Sequence, residues 1–469
     1  MAESKNTRKE HDFLGELEIP ADIYYGVQTY RALENFQASG QPISNFPEFI
    51  RSLAWIKKSA ALANAKLGVI PQDVADAICG ACDEIIAGKL RDQFPVDVIQ
   101  GGAGTSTNMN ANEVIANRAL ELMGHHKGEY QYVHPNDHVN KSQSTNDAYP
   151  SALRLALYVK LGKLIEEVKY LSKGFHAKGE EFAHVVKMGR TQLQDAVPMT
   201  LGMEFKAYAN TLEEEVSRLE EARKLALEIN MGATAIGTGI CSPDGYREEV
   251  IRQLREVSGV PVVTSANLVE ATWDTGCYVQ ISGALKRTAT KVSKICNDLR
   301  LLSSGPRTGF NEINLPKLQP GSSIMPGKVN PVLPEMVNQI CFDIMGKDVT
   351  VAIASEAGQL ELNVMEPIIV VCLFNGINRL GKGLRALQDK CIAGITANTE
   401  RCRQLVEHSI GIVTALLPHI GYEAAASIAK EALASARGVV EIALERKLLD
   451  KAQIEKILSP ENMLQVSGK

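Results

Sequence analysis

Residues 149–184 have the sequence YPSALRLALYVKLGKLIEEVKYLSKGFHAKGEEFAH, and this stretch decides the fold class. Its apolar residues recur every three or four positions, which places them on one face of an α-helix. The residues in this pattern are Leu153, Leu157, Leu161, Leu164, Ile165, Val168 and Leu171. The same spacing predicts helices over residues 200–229, 265–304 and 333–390, with interruptions at Gly358 and Pro367. Because no long stretch alternates at period two, we predict a mainly α protein with little sheet.

The length of these helices bears on the organisation of the chain. At 469 residues the chain is long enough for about three domains. Helices of roughly 30 residues are longer than one small domain covers, so they should pack as a bundle and bury one another across subunits. We predict an N-terminal helical domain over residues 1–145, a central long-helix bundle over residues 146–397 and a small C-terminal helical domain over residues 398–469.

Composition excludes several classes of protein. The net charge of -5 gives no reason to expect nucleic acid as a partner, and the 45% apolar content is ordinary for a soluble protein. Residues 1–12 are polar, so we expect neither a signal peptide nor an anchor, and the apolar run 368–374 is too short to span a bilayer. Nine scattered cysteines indicate reduced thiols in a cytoplasmic protein. Cys79 and Cys82 have redox spacing, but they lie in a helical pattern and are predicted to be buried helix-face residues.

A loop over residues 321–331, Gly-Ser-Ser-Ile-Met-Pro-Gly-Lys-Val-Asn-Pro, has a composition suited to anion binding. Its glycines and prolines exclude a helix or a strand, while its hydroxyls, lysine and asparagine could bind a carboxylate and stabilise an oxyanion. A phosphate-binding loop is excluded, because that motif has four residues between its glycines and a hydroxyl after the lysine. Here five residues separate Gly321 from Gly327, and Val329 follows Lys328.

Three other polar stretches support a site of this kind. Residues 101–110 join a glycine cluster to hydroxyls and amides, but they lack the third glycine and the preceding strand of a dinucleotide-binding fingerprint. Residues 142–147 precede the first long helix, where N-cap chemistry is expected, and residues 189–195 are predicted to be a polar turn between two helices. Each stretch alone is more often a cap or a turn. Together with the loop, they suggest one site for a small, highly oxygenated anion.

These stretches also resemble the signature segments of the aspartase/fumarase superfamily, which the loop 321–331 matches residue for residue. Similar segments occur at residues 13–15, 24–29, 230–234 and 362–367, so the resemblance extends from about residue 11 to about residue 425. It implies a three-domain fold in which four central five-helix domains form a twenty-helix core. It also implies a homotetramer whose active sites are each shared between three subunits. We predict no metal site and no cofactor, and the sequence leaves activation by divalent metals open.

The resemblance further implies a set of site residues for anti-elimination of ammonia from L-aspartate. Ser322 would be the general base that removes the proton from carbon 3, leaving an aci-carboxylate that needs preorganised donors. By motif position, Ser144, Thr145, Thr191 and Ser323 would contact that carboxylate, Lys328 and Asn330 the α-carboxylate, and Thr105, Asn146 and Gln192 the amino group.

Within the superfamily, several segments are similar to the aspartases rather than to the fumarases, among them Thr105-Ser106 and Met365-Glu366-Pro367. Gln192 stands where many members have a histidine; its amide cannot titrate, but it can accept a hydrogen bond from an ammonium group. The alternative enzyme is a class II fumarase. A recruited structural protein of the crystallin type is disfavoured, because Ser322 and Lys328 are intact.

Residues 134–137 match a stretch that forms a secondary anion site in fumarases. Pro135 separates His134 from His138, and no glutamate follows the first histidine, so a zinc-protease motif is absent. We predict a loop here and leave open whether it binds an anion.

Overall fold

A computed structural model describes residues 6–459 and residue 462 of the chain. Within these residues the chain forms sixteen α-helices. They are α1 (Val27–Asn35), α2 (Pro47–Lys66), α3 (Gln72–Ile86), α4 (Thr105–Leu122), α5 (Thr145–Glu181), α6 (Leu201–Leu225), α7 (Tyr246–Ser258), α8 (Leu268–Trp273), α9 (Gly276–Leu302), α10 (Val332–Glu356), α11 (Glu366–Lys390), α12 (Thr399–Glu407), α13 (Val413–Ile420), α14 (Tyr422–Ser435), α15 (Val439–Glu445) and α16 (Lys451–Ile457).

The strands are short, which confirms the mainly α prediction. They are β1 (Thr7–Asp12), β2 (Gly15–Pro20), β3 (Val186–Thr191), β4 (Gln194–Thr200), β5 (Glu228–Ile229), β6 (Val263–Thr264), β7 (Ile313–Asn314) and β8 (Thr396–Ala397). Over the described part of the chain they form four two-stranded sheets: β1–β2, β3–β4 and β7–β8 are antiparallel, and β5–β6 is parallel.

The long helices follow the predicted periodicity, with differences at their ends. The first begins at Thr145 because Ser144 caps it, four residues before the predicted start. The stretch predicted as one helix over 265–304 is divided into α8 and α9 by a break after Trp273. Pro367 does not interrupt a helix, because it is the second residue of α11, where a missing backbone N–H costs nothing.

By packing density the chain forms two compact units, residues 1–165, 217–287 and 343–379 in the first and residues 166–216, 288–342 and 380–469 in the second. Each of the five longest helices, α5, α6, α9, α10 and α11, contributes residues to both units. The three-domain division made from the sequence stays a prediction.

Each unit has its own aromatic core. In the first, the buried ring of Phe49 lies edge-on to Tyr149 and to Phe374, with centroids 5.3 Å and 5.6 Å away. In the second, Phe205 contacts Phe175 and Phe182. Full burial of such a ring contributes roughly 1.5–3 kcal/mol. The second unit has a further apolar cluster, built mainly from the C-terminal helices: Met188, Val406, Ile412, Leu416, Ile428, Ala432, Val439, Ile442, Ala443, Leu449 and Ile454.

Two smaller predictions can be compared with the structure. Cys79 and Cys82 lie on α3 as predicted; Cys82 is buried and Cys79 is half-buried. The prediction of a loop at residues 134–138 was wrong, because Pro135–Val139 forms a short π-helical turn. The side chain of His134 accepts hydrogen bonds from the amides of Asn136 and Asp137 at 3.1 Å and 3.2 Å, and so satisfies two N–H groups that the start of the turn leaves free.

Candidate active site

The loop at residues 321–331 is closed by its own hydrogen bonds. The amide of Gly321 donates to the Lys328 carbonyl at 2.7 Å, and the Asn330 side-chain amide donates to the Gly321 carbonyl at 2.8 Å. A β-carbon on Gly321 would lie 2.7 Å from the Lys328 carbonyl oxygen, so this approach requires glycine. The loop therefore has a defined shape that does not depend on a helix or a strand.

The two adjacent serines of this loop have different surroundings. Ser322 is half-buried, and its Oγ accepts hydrogen bonds from the amides of Ile324 at 3.2 Å and Met325 at 3.0 Å. Ser323 is exposed. Hydrogen bonds donated to an oxygen stabilise its anionic form, so the two amides favour an alkoxide at Ser322. The sequence left the two hydroxyls chemically identical, and this geometry distinguishes them.

The cation of the loop is available to a ligand. Lys328 is exposed, and within residues 6–459 and 462 no acidic side chain forms an ion pair with it. The apolar side chains beside it are also exposed, with 84% of Ile324 and 48% of Met325 accessible. An exposed ammonium group beside apolar side chains can bind a carboxylate, and the apolar groups would exclude water from that contact.

Thr191 and Gln192 lie at the tip of a β-hairpin. The sequence predicted a polar turn between helices at this place, and the strands β3 and β4 that flank the turn were not predicted. Thr191 pairs with Gln194, and the two residues between them, Gln192 and Leu193, have φ of 54° and 62°. Positive φ at both positions is typical of a two-residue type I′ turn. The strands escaped prediction because β3 has no alternating pattern, its central residues being buried on both faces.

The sequence predicted N-cap chemistry within residues 142–147, and in the structure Ser144 is the residue that caps α5. Its Oγ accepts from the Asn146 amide at 3.2 Å, and its own amide donates to Asp147 Oδ1 at 2.9 Å, so each residue satisfies a donor that the helix leaves free. The other carboxylate oxygen of Asp147 accepts from the amides of Gly232 at 3.1 Å and Thr234 at 2.9 Å. The cap is thus fixed to a second segment of the chain.

Asn146 is held on two sides by that same segment. Pro150 lies inside α5 and has no N–H, so it cannot donate to the Asn146 carbonyl four residues earlier. Asn230 Nδ2 donates to that carbonyl instead, at 3.0 Å, and Asn146 Nδ2 donates to the Ala235 carbonyl at 2.8 Å. The proline therefore creates an acceptor that fixes the orientation of a predicted site residue.

The glycine-rich turn before α4 positions Thr105. Gly104 has φ of +88°, and a β-carbon there would lie 2.3 Å from Cδ2 of the buried Tyr149 ring. Thr105 follows as the first residue of α4, is exposed, and donates from its hydroxyl to the Gly102 carbonyl at 2.7 Å. One turn further along α4, Asn108 Nδ2 donates to the Thr145 hydroxyl at 3.1 Å, which connects this turn to the capped helix.

The predicted site residues fall into two groups. The first unit contains Thr105, Ser144, Thr145 and Asn146, and the second contains Thr191, Gln192, Ser322, Ser323, Lys328 and Asn330. Within the first unit, hydrogen bonds connect α4 to the start of α5. Their union into a single site stays a prediction.

Two buried charged residues behind the first group were missed by the sequence analysis. Burial raises the pKa of Asp147 to about 6, although its three backbone donors oppose that shift. Burial also lowers the pKa of Lys57 to about 7; Lys57 Nζ donates to Asn140 Oδ1 at 2.9 Å and Gln143 Oε1 at 3.0 Å. The place of Asp147, three residues after the capping serine, is a signal that could have identified its role. Nothing in the sequence marks Lys57.

In the part of the chain that the structure describes, no three His, Cys, Asp or Glu side chains are grouped so that they could hold a metal ion. Among the same residues, no helix combines the length and the apolar character that crossing a membrane requires.

The chain matches known protein families and is similar to proteins of known function. Residues 15–346 match the family described as "Lyase", and residues 412–465 match "Fumarase C C-terminus". The chain is 60% identical to aspartate ammonia-lyase of Helicobacter pylori (strain J99) over 97% of its length and 98% of that protein. It is 56% identical to aspartate ammonia-lyase of Escherichia coli K12, over 98% of this chain and 97% of that one.

Solved structures show the same similarity in the fold. The chain aligns with the cobalt-bound fumarate lyase:delta crystallin of Brucella melitensis with a TM-score of 0.95 and 54% identity, covering 97% of this chain and 99% of that one. Its alignment with the class II fumarase of Schistosoma mansoni has a TM-score of 0.92 at 36% identity, over 98% and 100% of the two chains. The fold is therefore shared more widely than the sequence.

Proposed function

The chain belongs to the lyase family in which these aspartate ammonia-lyases are found, and from this premise we propose that it converts L-aspartate reversibly into fumarate and ammonia. One observation carries the proposal: the identity of 56–60% with aspartate ammonia-lyases extends over nearly the whole of each chain. The class II fumarase that aligns with it is 36% identical, so the similarity favours the ammonia-lyase over the hydratase.

In the proposed mechanism, Ser322 removes the proton from carbon 3 of L-aspartate. A serine hydroxyl is a very weak acid, so it acts as a base only where its anion is strongly stabilised. The two amides that donate to Ser322 Oγ supply part of that stabilisation, and the cation of Lys328 in the same loop supplies more. Exclusion of water by the apolar side chains of the loop would strengthen both effects.

Loss of that proton places a second negative charge on the β-carboxylate. We assign Ser144, Thr145, Thr191 and Ser323 to this aci-carboxylate. These short neutral donors lie at the capped start of α5, at the hairpin and in the loop 321–331, where they need little reorganisation as charge develops. Lys328 and Asn330 are assigned to the α-carboxylate. One N–H of the Asn330 amide already holds the Gly321 carbonyl, so the other N–H would serve the substrate.

The amino group is assigned to Thr105, Asn146 and Gln192. Ammonia leaves as a base, so it does not need a titrating residue to deliver a proton to it. An amide at the tip of the hairpin can accept a hydrogen bond from the ammonium group, which is what Gln192 offers. Since one N–H of Asn146 is held by the Ala235 carbonyl, its Oδ1 is fixed in direction and can accept as well.

We further propose a homotetramer with active sites shared between three subunits. Long apolar side chains on α10 are exposed in the single chain, with 56% of Phe342, 59% of Val349 and 63% of Ile353 accessible. Their spacing of seven and four residues is that of one helix face, which contact between subunits would cover. All nine cysteines are free thiols, which fits a reducing compartment, and we place the enzyme in the cytoplasm.

The proposal is tested by following the ultraviolet absorbance of fumarate with L-aspartate or L-malate as the sole substrate. We expect fumarate from L-aspartate and essentially none from L-malate, with Ser322→Ala protein as the control for contaminating activity. If fumarate formed faster from L-malate than from L-aspartate, the proposed ammonia-lyase activity would be wrong and the protein would be a fumarate hydratase.

A further inference from the structure

A buried carboxylate, Glu312, lies beneath the hairpin that carries Thr191 and Gln192. Its side chain is inaccessible to solvent and contacts two cations of strand β3. Arg190 Nη1 lies 2.7 Å from Glu312 Oε1, and Lys187 Nζ lies 2.9 Å from Oε2. A buried carboxylate costs several kcal/mol of desolvation unless it is paired, so these contacts hold β3 to the segment that contains Glu312.

The cations are themselves restrained. Lys187 is buried, and its ammonium group also contacts Glu204 at 2.6 Å. Burial opposes the charge of Lys187, but the two carboxylates outweigh burial and raise its pKa. The Arg190 guanidinium lies 4.2 Å from the centre of the Phe310 ring, a contact that fixes the plane of its fork. Two anions and two cations therefore balance one another at the base of the hairpin.

The hairpin tip needs such an anchor. Gln192 and Leu193 are neither glycine nor asparagine, yet both have positive φ, which costs roughly 1–2 kcal/mol at each residue. Both side chains are exposed, so packing at the tip does not offset that cost. Arg190 is directly followed by Thr191, and its guanidinium donates to Glu312 Oε1 at 2.7 Å, so this bond lies one residue from the hairpin turn.

We propose that Glu312 is a positioning residue: through Arg190 and Lys187 it sets the direction in which the hairpin tip presents Gln192 and Thr191 to the substrate. This inference rests on the proposed function, since it assigns Gln192 to the amino group. Neutralising Glu312 would leave the buried Lys187 and the half-buried Arg190 with one carboxylate, Glu204, which contacts only Lys187. Their repulsion would displace β3 and, with it, the strained turn at its end.

The test measures the reverse reaction, in which ammonium adds to fumarate, in wild-type protein and in Glu312→Gln. We expect the KM for ammonium to rise roughly tenfold, which corresponds to the loss of about one hydrogen bond. The inhibition constant of succinate should rise less, by no more than about threefold, because Thr191 is only one of the four donors assigned to its carboxylate. Succinate is a dicarboxylate without an amino group, and Lys328 and Asn330 would still hold it. A smaller fraction of folded protein would lower kcat but could not change the KM for ammonium in this selective way.

Glu204→Gln is the matched control, because it removes the other carboxylate of Lys187 but leaves the Arg190–Glu312 pair intact. It should change the KM for ammonium by less than about threefold. In a Gln192→Ala background, Glu312→Gln should add little further effect, since both changes act on one contact. Should Glu312→Gln not fold, Arg190→Lys, which keeps the charge but loses the planar fork, should give a smaller increase of the same selectivity.

An unchanged KM for ammonium in Glu312→Gln, or an equal rise of that KM and of the succinate constant, would overturn the inference. The same holds if Glu204→Gln behaves like Glu312→Gln, or if Arg190→Lys has no effect where it is the deciding variant. Failure of the proposed function looks different: wild-type protein would then form no L-aspartate from fumarate and ammonium.

Discussion

Two glycines in the turn before Thr105 allow the cost of a steric clash with the Tyr149 ring to be measured by comparing alanine variants. Gly102 and Gly104 have similar positive φ angles, +79° and +88°. Their surroundings differ, because a β-carbon at Gly104 would lie 2.3 Å from the Tyr149 ring, while at Gly102 its nearest neighbours would be the Thr105 side-chain atoms at 3.7 Å. Alanine at either position therefore has the same backbone cost, and only Gly104→Ala adds a clash.

The magnitudes follow from these distances. Left-handed backbone costs an alanine roughly 1–2 kcal/mol, of which a more restricted unfolded chain offsets about 0.4–1 kcal/mol. Gly102→Ala should therefore lower the free energy of unfolding by about 1 kcal/mol. For Gly104→Ala, displacement of the buried Tyr149 ring adds about 1–3 kcal/mol, as overpacking does in cores. The two variants should differ by at least that amount.

Thermal unfolding of the two variants at equal protein concentration gives the ranking, with Gly104→Ala melting at the lower temperature. Activity gives a second measurement: Gly104→Ala should lower kcat/KM for L-aspartate by tenfold or more, because Thr105 moves with the turn, whereas Gly102→Ala should lose less. Equal melting temperatures for the two variants would contradict this ranking, since they would mean that the Tyr149 ring moves aside without cost.

Three further predictions concern the site itself. Ser322→Ala should abolish turnover while helical content and oligomer are retained, and Ser323→Ala should keep measurable turnover; comparable loss in both would remove the special role of the amide-bonded serine. Gln192→Glu should weaken L-aspartate binding at neutral pH, and binding should partly recover at lower pH. At ~4 Å and an effective dielectric constant of about 20, each charge pair is worth about 4 kcal/mol before screening, and two substrate carboxylates face one ammonium group. Tighter binding at neutral pH would show that the carboxylates are shielded from the new charge. Mixing inactive Ser322→Ala with inactive Thr191→Ala subunits should restore some activity, and no recovery after verified subunit exchange would count against sites shared between chains.

The long helices could be predicted because their apolar periodicity is local and repeats over many turns. A cap within residues 142–147 could be predicted because capping is chemistry between neighbours, although the sequence did not single out Ser144. The β3–β4 hairpin could not be predicted, because β3 has no alternating pattern and because the cations that anchor the hairpin bind a carboxylate at position 312, more than a hundred residues away. The role of Asn230 could not be predicted for the same reason, because Asn230 donates to the Asn146 carbonyl that Pro150 leaves without a donor. Sequence patterns record neighbours along the chain, and these residues are neighbours only in space.

The difference between the two serines needed a backbone conformation as well. Residues 322 and 323 have the same chemistry, and the motif position alone favoured the first. The structure adds a physical ground, since the chain turns so that the amides of Ile324 and Met325 point at one hydroxyl.

The hydrogen bonds of that loop have a consequence for the timing of the reaction. The bonds to Ser322 and those that join Gly321 to Lys328 and Asn330 begin and end within ten residues. If the loop moves, it moves as a rigid body, so the Ser322 hydroxyl and the amides that donate to it keep their relative positions. The basicity of Ser322 would then be set before L-aspartate arrives, and the substrate would select a position of the loop rather than assemble its chemistry.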